Sequence, residues 1–195
     1  MEVERHPLQP FLPEGTHLLM LGSFPPARKR WSMDFFYPNF TNDMWRIFGL
    51  CFYGDKMHFV DEAHKTFHKE AIEQTLRDYA IGIFDTASAV VRTQGTAADK
   101  DLEVVEPTDL DALLDRIPQC RAVVTTGEKA TTVFCDHFGI QSPKVGTYVE
   151  FAKEDRMLRL YRMPSSSRAY PMKVERKAEY YQPMFEAVCS KSLNV

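Results

Sequence analysis

Apolar residues in this chain fall into short blocks of two kinds. His17 to Leu21, Ala80 to Phe84 and Ala122 to Gly127 are nearly continuous apolar or β-branched runs. Each predicts a short buried strand, the second ending at Asp85 and the third on Gly127. Met157 to Met163 predicts the last core strand, and Val145 to Glu150 is the candidate for an added edge strand or hairpin. Between these runs the spacing turns helical. Asn42 to Cys51 begins a helix with Trp45, Phe48 and Phe52 on one face, and Asp61 to Tyr79 is built of good helix formers. Thr108 to Ile117 predicts a helix capped by Thr108 after Pro107. Glu128 to Phe138 predicts another, closed by Gly139, and Lys173 to Ser190 a terminal one. Strands separated by helices imply a parallel sheet covered on both faces and joined by right-handed crossovers. The expected fold is a three-layer α/β/α sandwich around a central, mainly parallel four-stranded sheet.

Composition bounds this picture. A chain of 195 residues, 44% hydrophobic and 26% charged, suits one domain over residues 1–195 with one substantial core. Met1 to Gly15 holds charges and prolines without the apolar core of a signal peptide. No run approaches the roughly 18–20 apolar residues of a membrane span. A cytoplasmic protein that engages no membrane and acts as a monomer is expected. Cys51, Cys120, Cys135 and Cys189 are scattered, with no Cys-x-x-Cys pair, and read as buried thiols in a reducing compartment. His64 and His68 are four residues apart, a metal-ligand spacing on a helix. They lack a third ligand and sit among Lys65, Lys69 and Glu70, so no metal is expected.

The chemistry concentrates in two segments. Leu19-Met20-Leu21-Gly22-Ser23-Phe24-Pro25-Pro26 and Leu160-Tyr161-Arg162-Met163-Pro164-Ser165-Ser166-Ser167-Arg168 are apolar runs that break abruptly into Gly, Pro and Ser. Such breaks put polar groups at the carboxyl ends of strands, where ligands bind in open parallel sheets. The net charge of −3 does not advertise nucleic-acid binding. Local patches count for more than the total. Arg28-Lys29-Arg30 follows the first segment, and Arg168, Lys173, Arg176 and Lys177 follow the second.

Four stretches in order carry a resemblance. They are Gly22-Ser23-Phe24-Pro25; Tyr37-Pro38 through Asn42-Asp43-Met44-Trp45-Arg46-Ile47; Gly82-Ile83-Phe84-Asp85 with Pro107-Thr108-Asp109 and Thr126-Gly127; and Met163-Pro164-Ser165-Ser166-Ser167. From His17 to Tyr181 the chain resembles the uracil-DNA glycosylase superfamily, and most of all its hypoxanthine-DNA glycosylase branch, related to the mismatch-specific enzymes. The resemblance implies a monofunctional DNA N-glycosylase of base-excision repair. Such an enzyme hydrolyses the N-glycosidic bond of a deaminated base (hypoxanthine, uracil or xanthine) flipped out of DNA, without a metal or redox cofactor.

The candidate residues follow. By residue type Asn42 reads first as a helix N-cap. The related branch carries its catalytic Asn at the matching position, and an amide can orient a water or bond a base edge. Gly22, Ser23 and Pro25 would shape the pocket, Gly22 permitting close backbone approach. Phe36 and Tyr37 are candidates for stacking on the base, with one of the pair expected in the pocket. Asp85 would position a loop or touch the substrate. Pro164, Ser165, Ser166 and Ser167 would contact DNA, the serines holding phosphates. Arg168 would enter the minor groove or fill the gap left by the base, and Lys173 would add positive charge. Two departures stand out. Phe24 occupies the first-loop position where mismatch-specific enzymes carry Asn, and the Asp of the uracil enzymes is missing nearby. The second-loop His that stabilises the departing base is also missing, with Ser165 or Ser166 in its place. These leave two other readings open: a non-catalytic nucleic-acid binder of the same fold, and a hydrolase of small nucleosides.

Overall fold

The computed structural model describes residues 2–94 and 99–189. In chain order the elements are β1 (Val3–Arg5), β2 (Leu18–Gly22), α1 (Met44–Tyr53), β3 (Val60–Asp61), β4 (Thr66–Phe67), α2 (Lys69–Asp78), β5 (Ile81–Asp85), β6 (Ala87–Arg92), β7 (Leu102–Pro107), α3 (Leu110–Asp115), β8 (Ala122–Thr125), α4 (Glu128–Phe138), β9 (Thr147–Lys153), β10 (Arg156–Arg162) and α5 (Val174–Val188). Short 3-10 turns lie at Arg28–Arg30 and Asp99–Asp101.

Among the described residues the central sheet has five strands, in the order β5-β2-β8-β10-β9. The expected four are parallel to one another. The fifth, β9, is antiparallel to β10 and closes the edge as a hairpin, which enlarges the four-stranded expectation by one strand. Right-handed crossovers fix the layers. The chain steps from β2 to β5 in one direction and from β5 through β8 to β10 in the other. This puts α1 and α2 on one face and α3 and α4 on the opposite one. α5 joins the first layer, where Phe185 packs on Phe48 at 5.1 Å and on Phe52 at 4.8 Å. Covered on both sides, the parallel strands β2, β5 and β8 are buried along their whole length, and Leu18 to Leu21, Val123, Val124 and, on β10, Leu160 are all fully inaccessible. Helix α4 ends at Gly139 in the left-handed conformation (φ 62°), where glycine carries no Cβ penalty.

Three local expectations fail for physical reasons. Asp61 to Tyr79 is not one helix: the chain makes the β3–β4 hairpin and starts α2 only at Lys69. Burying Val60 and Phe67 across from each other outweighs the helix propensity of the stretch between them. The Asp61 carboxylate accepts from the His64 N–H (3.1 Å) and contacts its Nδ1 (2.8 Å), fixing the turn. His64 and His68 therefore do not share a helix face. Thr108 does not cap α3. It is turned inward, donating to the Asp85 carbonyl at 2.7 Å, and Asp109 caps instead by accepting from the Ala112 N–H at 3.0 Å.

A second sheet was not expected. Strands β1-β6-β7 pair antiparallel in that order. β6 follows β5 after one residue, Thr86, and its small residues Ala87, Ser88 and Ala89 gave no strand signal.

Among the described residues the four cysteines are free thiols, and no helix is long and apolar enough to cross a membrane. Burial pushes the Cys51 and Cys189 thiols up to about 12 and Cys120 to about 11, with Glu186 adding repulsion at Cys51. Cys135 is raised as well. At pH 8 Cys51, Cys120 and Cys189 of the folded protein should be alkylated by iodoacetamide at least about a hundredfold more slowly than in the urea-unfolded chain. Mass spectrometry at timed intervals reads the difference, and fast labelling of any one of these three thiols in the folded state would contradict it.

Candidate active site

The parallel strands β2 and β5 end in register at Gly22 and Asp85, and β8 ends beside them at Thr125. The loops that leave these ends, with the segment before α1 and the loop after β10, surround a cavity of about 390 Å³. Gly22, Ser23, Phe24, Pro25, Phe36, Tyr37, Asn42, Asp85 and Ser165 to Ser167 all line it. Both Phe36 and Tyr37 are on the wall, where one of them was expected. Pro164, Arg168 and Lys173 are not on the wall. Pro164 is buried, with its carbonyl accepting from the Tyr181 hydroxyl at 2.9 Å. Lys173 is exposed immediately before α5. Sequence reasoning missed Thr126, Gly127 and Tyr170 as lining residues. The first two had a usable signal, a strand running into glycine as β2 does at Gly22.

Asn42 combines two roles. Its Oδ1 accepts from the Met44 N–H at 2.9 Å, tying down the start of α1. A backbone N–H only donates, so this bond fixes which end of the amide is oxygen. No protein partner engages Nδ2 among the described residues, and it brings two N–H donors to the cavity wall. A second Oδ1 lone pair also remains for a water.

Helix α1, and Asn42 with it, is anchored to the second loop by Asp43. The Asp43 side chain is 2% exposed. Its Oδ1 accepts from Arg168 Nε (3.0 Å) and Nη2 (2.9 Å), its Oδ2 from Lys177 Nζ (3.0 Å), and its backbone N–H donates to the Ser166 carbonyl (2.9 Å). Lys177 also donates to the Ser167 carbonyl at 2.8 Å. Lys177 is fully buried, so it does not belong to the surface basic patch expected of it. Arg168 is half-exposed, but its guanidinium is committed to Asp43.

Asp85 lines the same cavity. Its Oδ1 lies against Gly22, where an added Cβ would come within 2.6 Å of it and within 3.3 Å of the Tyr37 hydroxyl. Glycine is needed there to admit both groups. Tyr37 adopts a left-handed backbone (φ 49°), and its hydroxyl shares a hydrogen bond of 2.8 Å with Thr126 Oγ1. Asp85 Oδ2 is bonded at 2.7 Å to His6 Nε2, a residue that sequence reasoning passed over.

In the serine loop, Ser165 Oγ accepts from the Ser167 N–H (3.1 Å) and Ser167 Oγ from the Ala169 N–H (3.3 Å). Each hydroxyl is used as an acceptor, which leaves its own hydrogen to donate.

Removing Lys177 would leave the buried Asp43 carboxylate with Arg168 alone. Lys177→Met should therefore lower stability by about 3 kcal/mol in urea unfolding, the low end for a broken buried pair. Adding Asp43→Asn should return part of that loss. Equal unfolding midpoints for wild type and Lys177→Met would show that the anchor carries little.

No protein-family model matches the sequence, and no curated protein does. Among solved structures, the chain is similar to a solution NMR structure from Methanosarcina acetivorans described as a "putative Uracil DNA glycosylase". The identity is 23%, the TM-score 0.62, and the match covers 95% of this chain and 98% of that one. The likeness is one of fold, extending over the central sheet and both helical layers.

Proposed function

We propose that this protein is a DNA glycosylase that hydrolyses the N-glycosidic bond of a deaminated base, hypoxanthine, uracil or xanthine, flipped into the cavity between its two loops. The observation that carries the reading is that one cavity joins the unpartnered amide donors of Asn42 to the carboxylate of Asp85, at the carboxyl ends of parallel strands. A volume of about 390 Å³ is in the range of small-ligand pockets, roughly 300–1,000 Å³. The fold shared with the archaeal neighbour and the resemblance of the two loops support the same reading.

In this reading Asn42 is the catalytic residue. Cleavage builds negative charge on the leaving base and positive charge on the sugar. The Asn42 Nδ2 donors stabilise the first, or the remaining Oδ1 lone pair accepts a hydrogen from the attacking water and holds it. The second loop has no imidazole, so anion stabilisation rests on neutral donors. Phe36 and Tyr37 offer rings to the flipped base, worth about 1–3 kcal/mol per stacked base. The hydroxyl hydrogens of Ser165 and Ser167 hold flanking phosphates without reading sequence. Lys29 and Arg30, exposed next to the first loop, and Lys173, exposed after the second, add long-range attraction for the backbone.

The test is base release from labelled duplexes carrying a single uracil, hypoxanthine or xanthine, followed by alkaline cleavage of abasic sites. Wild type should release at least one of these bases. Asn42→Ala should slow release by about 10²–10³-fold, the usual cost of losing one positioned donor, at unchanged DNA affinity. Binding should weaken linearly in log–log against salt. A folded protein that binds DNA but releases no base would favour the non-catalytic binder. Activity on nucleosides with salt-independent or absent DNA binding would favour the nucleoside hydrolase.

A further inference from the structure

The amino-terminal segment belongs to the small antiparallel sheet, yet it reaches residues of the cavity wall from behind. Val3, Glu4 and Arg5 pair with Val91, Val90 and Ala89 of β6, and the His6 N–H donates to the Ser88 carbonyl at 2.8 Å. This pairing delivers the His6 ring to the back of the cavity wall. The ring lies 5.2 Å from Phe24, 4.6 Å from Phe84 and 6.1 Å from Phe36, centroid to centroid. Its side chain is 4% exposed and that of Asp85 9%.

The hydrogen bonds around the ring fix its tautomer. The Leu8 N–H donates to His6 Nδ1 at 3.1 Å, so Nδ1 is an acceptor. The ring hydrogen is then on Nε2, which donates to Asp85 Oδ2 at 2.7 Å. With Oδ2 committed to His6, Oδ1 is the oxygen that lies over Gly22, another residue of the cavity wall. The relay from Leu8 through His6 thus makes this wall an acceptor.

We infer that His6 is a positioning residue that sets Asp85 as a hydrogen-bond acceptor, and that the cavity thereby selects bases presenting a ring N–H beside a carbonyl over bases presenting a ring-nitrogen lone pair. Hypoxanthine and uracil carry that N–H, whereas adenine and cytosine present a lone pair at the same edge position. Such a lone pair would face the carboxylate oxygen without a hydrogen between them. A site built to bond an N–H rejects the analogue lacking it far more strongly than a difference of shape would. The inference rests on the proposed function and deepens it, because the acceptor edge would separate a deaminated base from its parent.

The experiment compares wild type, His6→Phe, His6→Gln and Asp85→Asn. His6→Phe keeps an aromatic ring and removes the donor, while His6→Gln places an amide donor near Nε2. Binding of free hypoxanthine and free adenine is measured by calorimetry, and release of both bases from duplexes in parallel. In wild type, ¹⁵N-edited spectra should show His6 with its hydrogen on Nε2, and hypoxanthine should be preferred. His6→Phe should lower the preference at least about tenfold, the loss of roughly one hydrogen bond, and His6→Gln should restore most of it. In Asp85→Asn the His6 donor holds the amide oxygen, which turns the amide nitrogen toward the cavity, so the preference should fall or invert toward adenine. An Nδ1–H tautomer, a preference unchanged in His6→Phe, or no preference in wild type would overturn the inference. If hypoxanthine is preferred through His6 but no duplex is cut, the edge selection stands and the glycosylase reading falls. Should His6→Phe not fold, His6→Gln and Asp85→Asn still decide.

Discussion

The arrangement of the site depends on one buried carboxylate. Asp43 is removed from water at the start of α1, a placement that costs several kcal/mol unless the charge is matched. It is matched by Lys177 from α5 and Arg168 from the second loop, and its N–H is spent on the Ser166 carbonyl. The need for this anchor follows from topology. Gly22 and Asp85 sit at strand ends and are placed by the sheet itself. Asn42 sits on no strand and is carried in at the head of a helix. Sheet geometry alone cannot set its distance from the strand ends. The Asp43 network does so by tying that helix to the loop after β10 and to the helix behind it. The charge is spent on holding one catalytic candidate in place, and Arg168 is consequently less available to DNA than an arginine in a serine loop would suggest.

Two buried networks thus hold two walls of opposite character. On one, Asn42 and the serine hydroxyls offer hydrogens. On the other, Asp85 offers lone pairs, its outer oxygen held by His6. The networks share no residue. Polar groups of opposite character lining one cavity would pair directly if they were free to move. Independent anchoring keeps them apart and unspent until a ligand with both an acceptor edge and a donor edge comes between them. Such preorganisation is what lets fixed dipoles act on developing charge without reorganising first.

What could be read from the sequence was whatever is local. The apolar runs ending on Gly22, Asp85 and Gly127 placed the site at the carboxyl edge of a parallel sheet, and Gly139 marked the end of α4. The helix drawn from Asp61 to Tyr79 failed because propensity cannot see Phe67 being pulled into the core. Lys177 was read as surface charge because its partner is 134 positions away in the chain. His6 was invisible for the same reason: its partner Asp85 is 79 residues on, and β1 spans only three residues with no period to detect. Sequence pattern reveals the strands and most of the helices of the central layers. It does not reveal which polar groups those elements bury together, and here those groups set the chemistry.

Phe24 brings these threads to one residue. In the resemblance it is a departure, an apolar ring where mismatch-specific enzymes have an amide. In the structure that ring packs against Ala87, Val90 and Leu102 of the small sheet and meets the edge of His6. Arg92 lies over it at 5.8 Å while donating to the Pro25 carbonyl and pairing with Glu4 of β1. The first loop is therefore fastened to the small sheet by an apolar contact and a buried guanidinium. A polar side chain at position 24 would weaken that contact and loosen the wall that carries Asp85. With the first loop committed to packing, its residue 24 cannot also orient water. In the proposed reading the burden of catalysis then falls on Asn42 and the Asp43 anchor beneath it, and base selection on the wall that Phe24 and His6 hold in place.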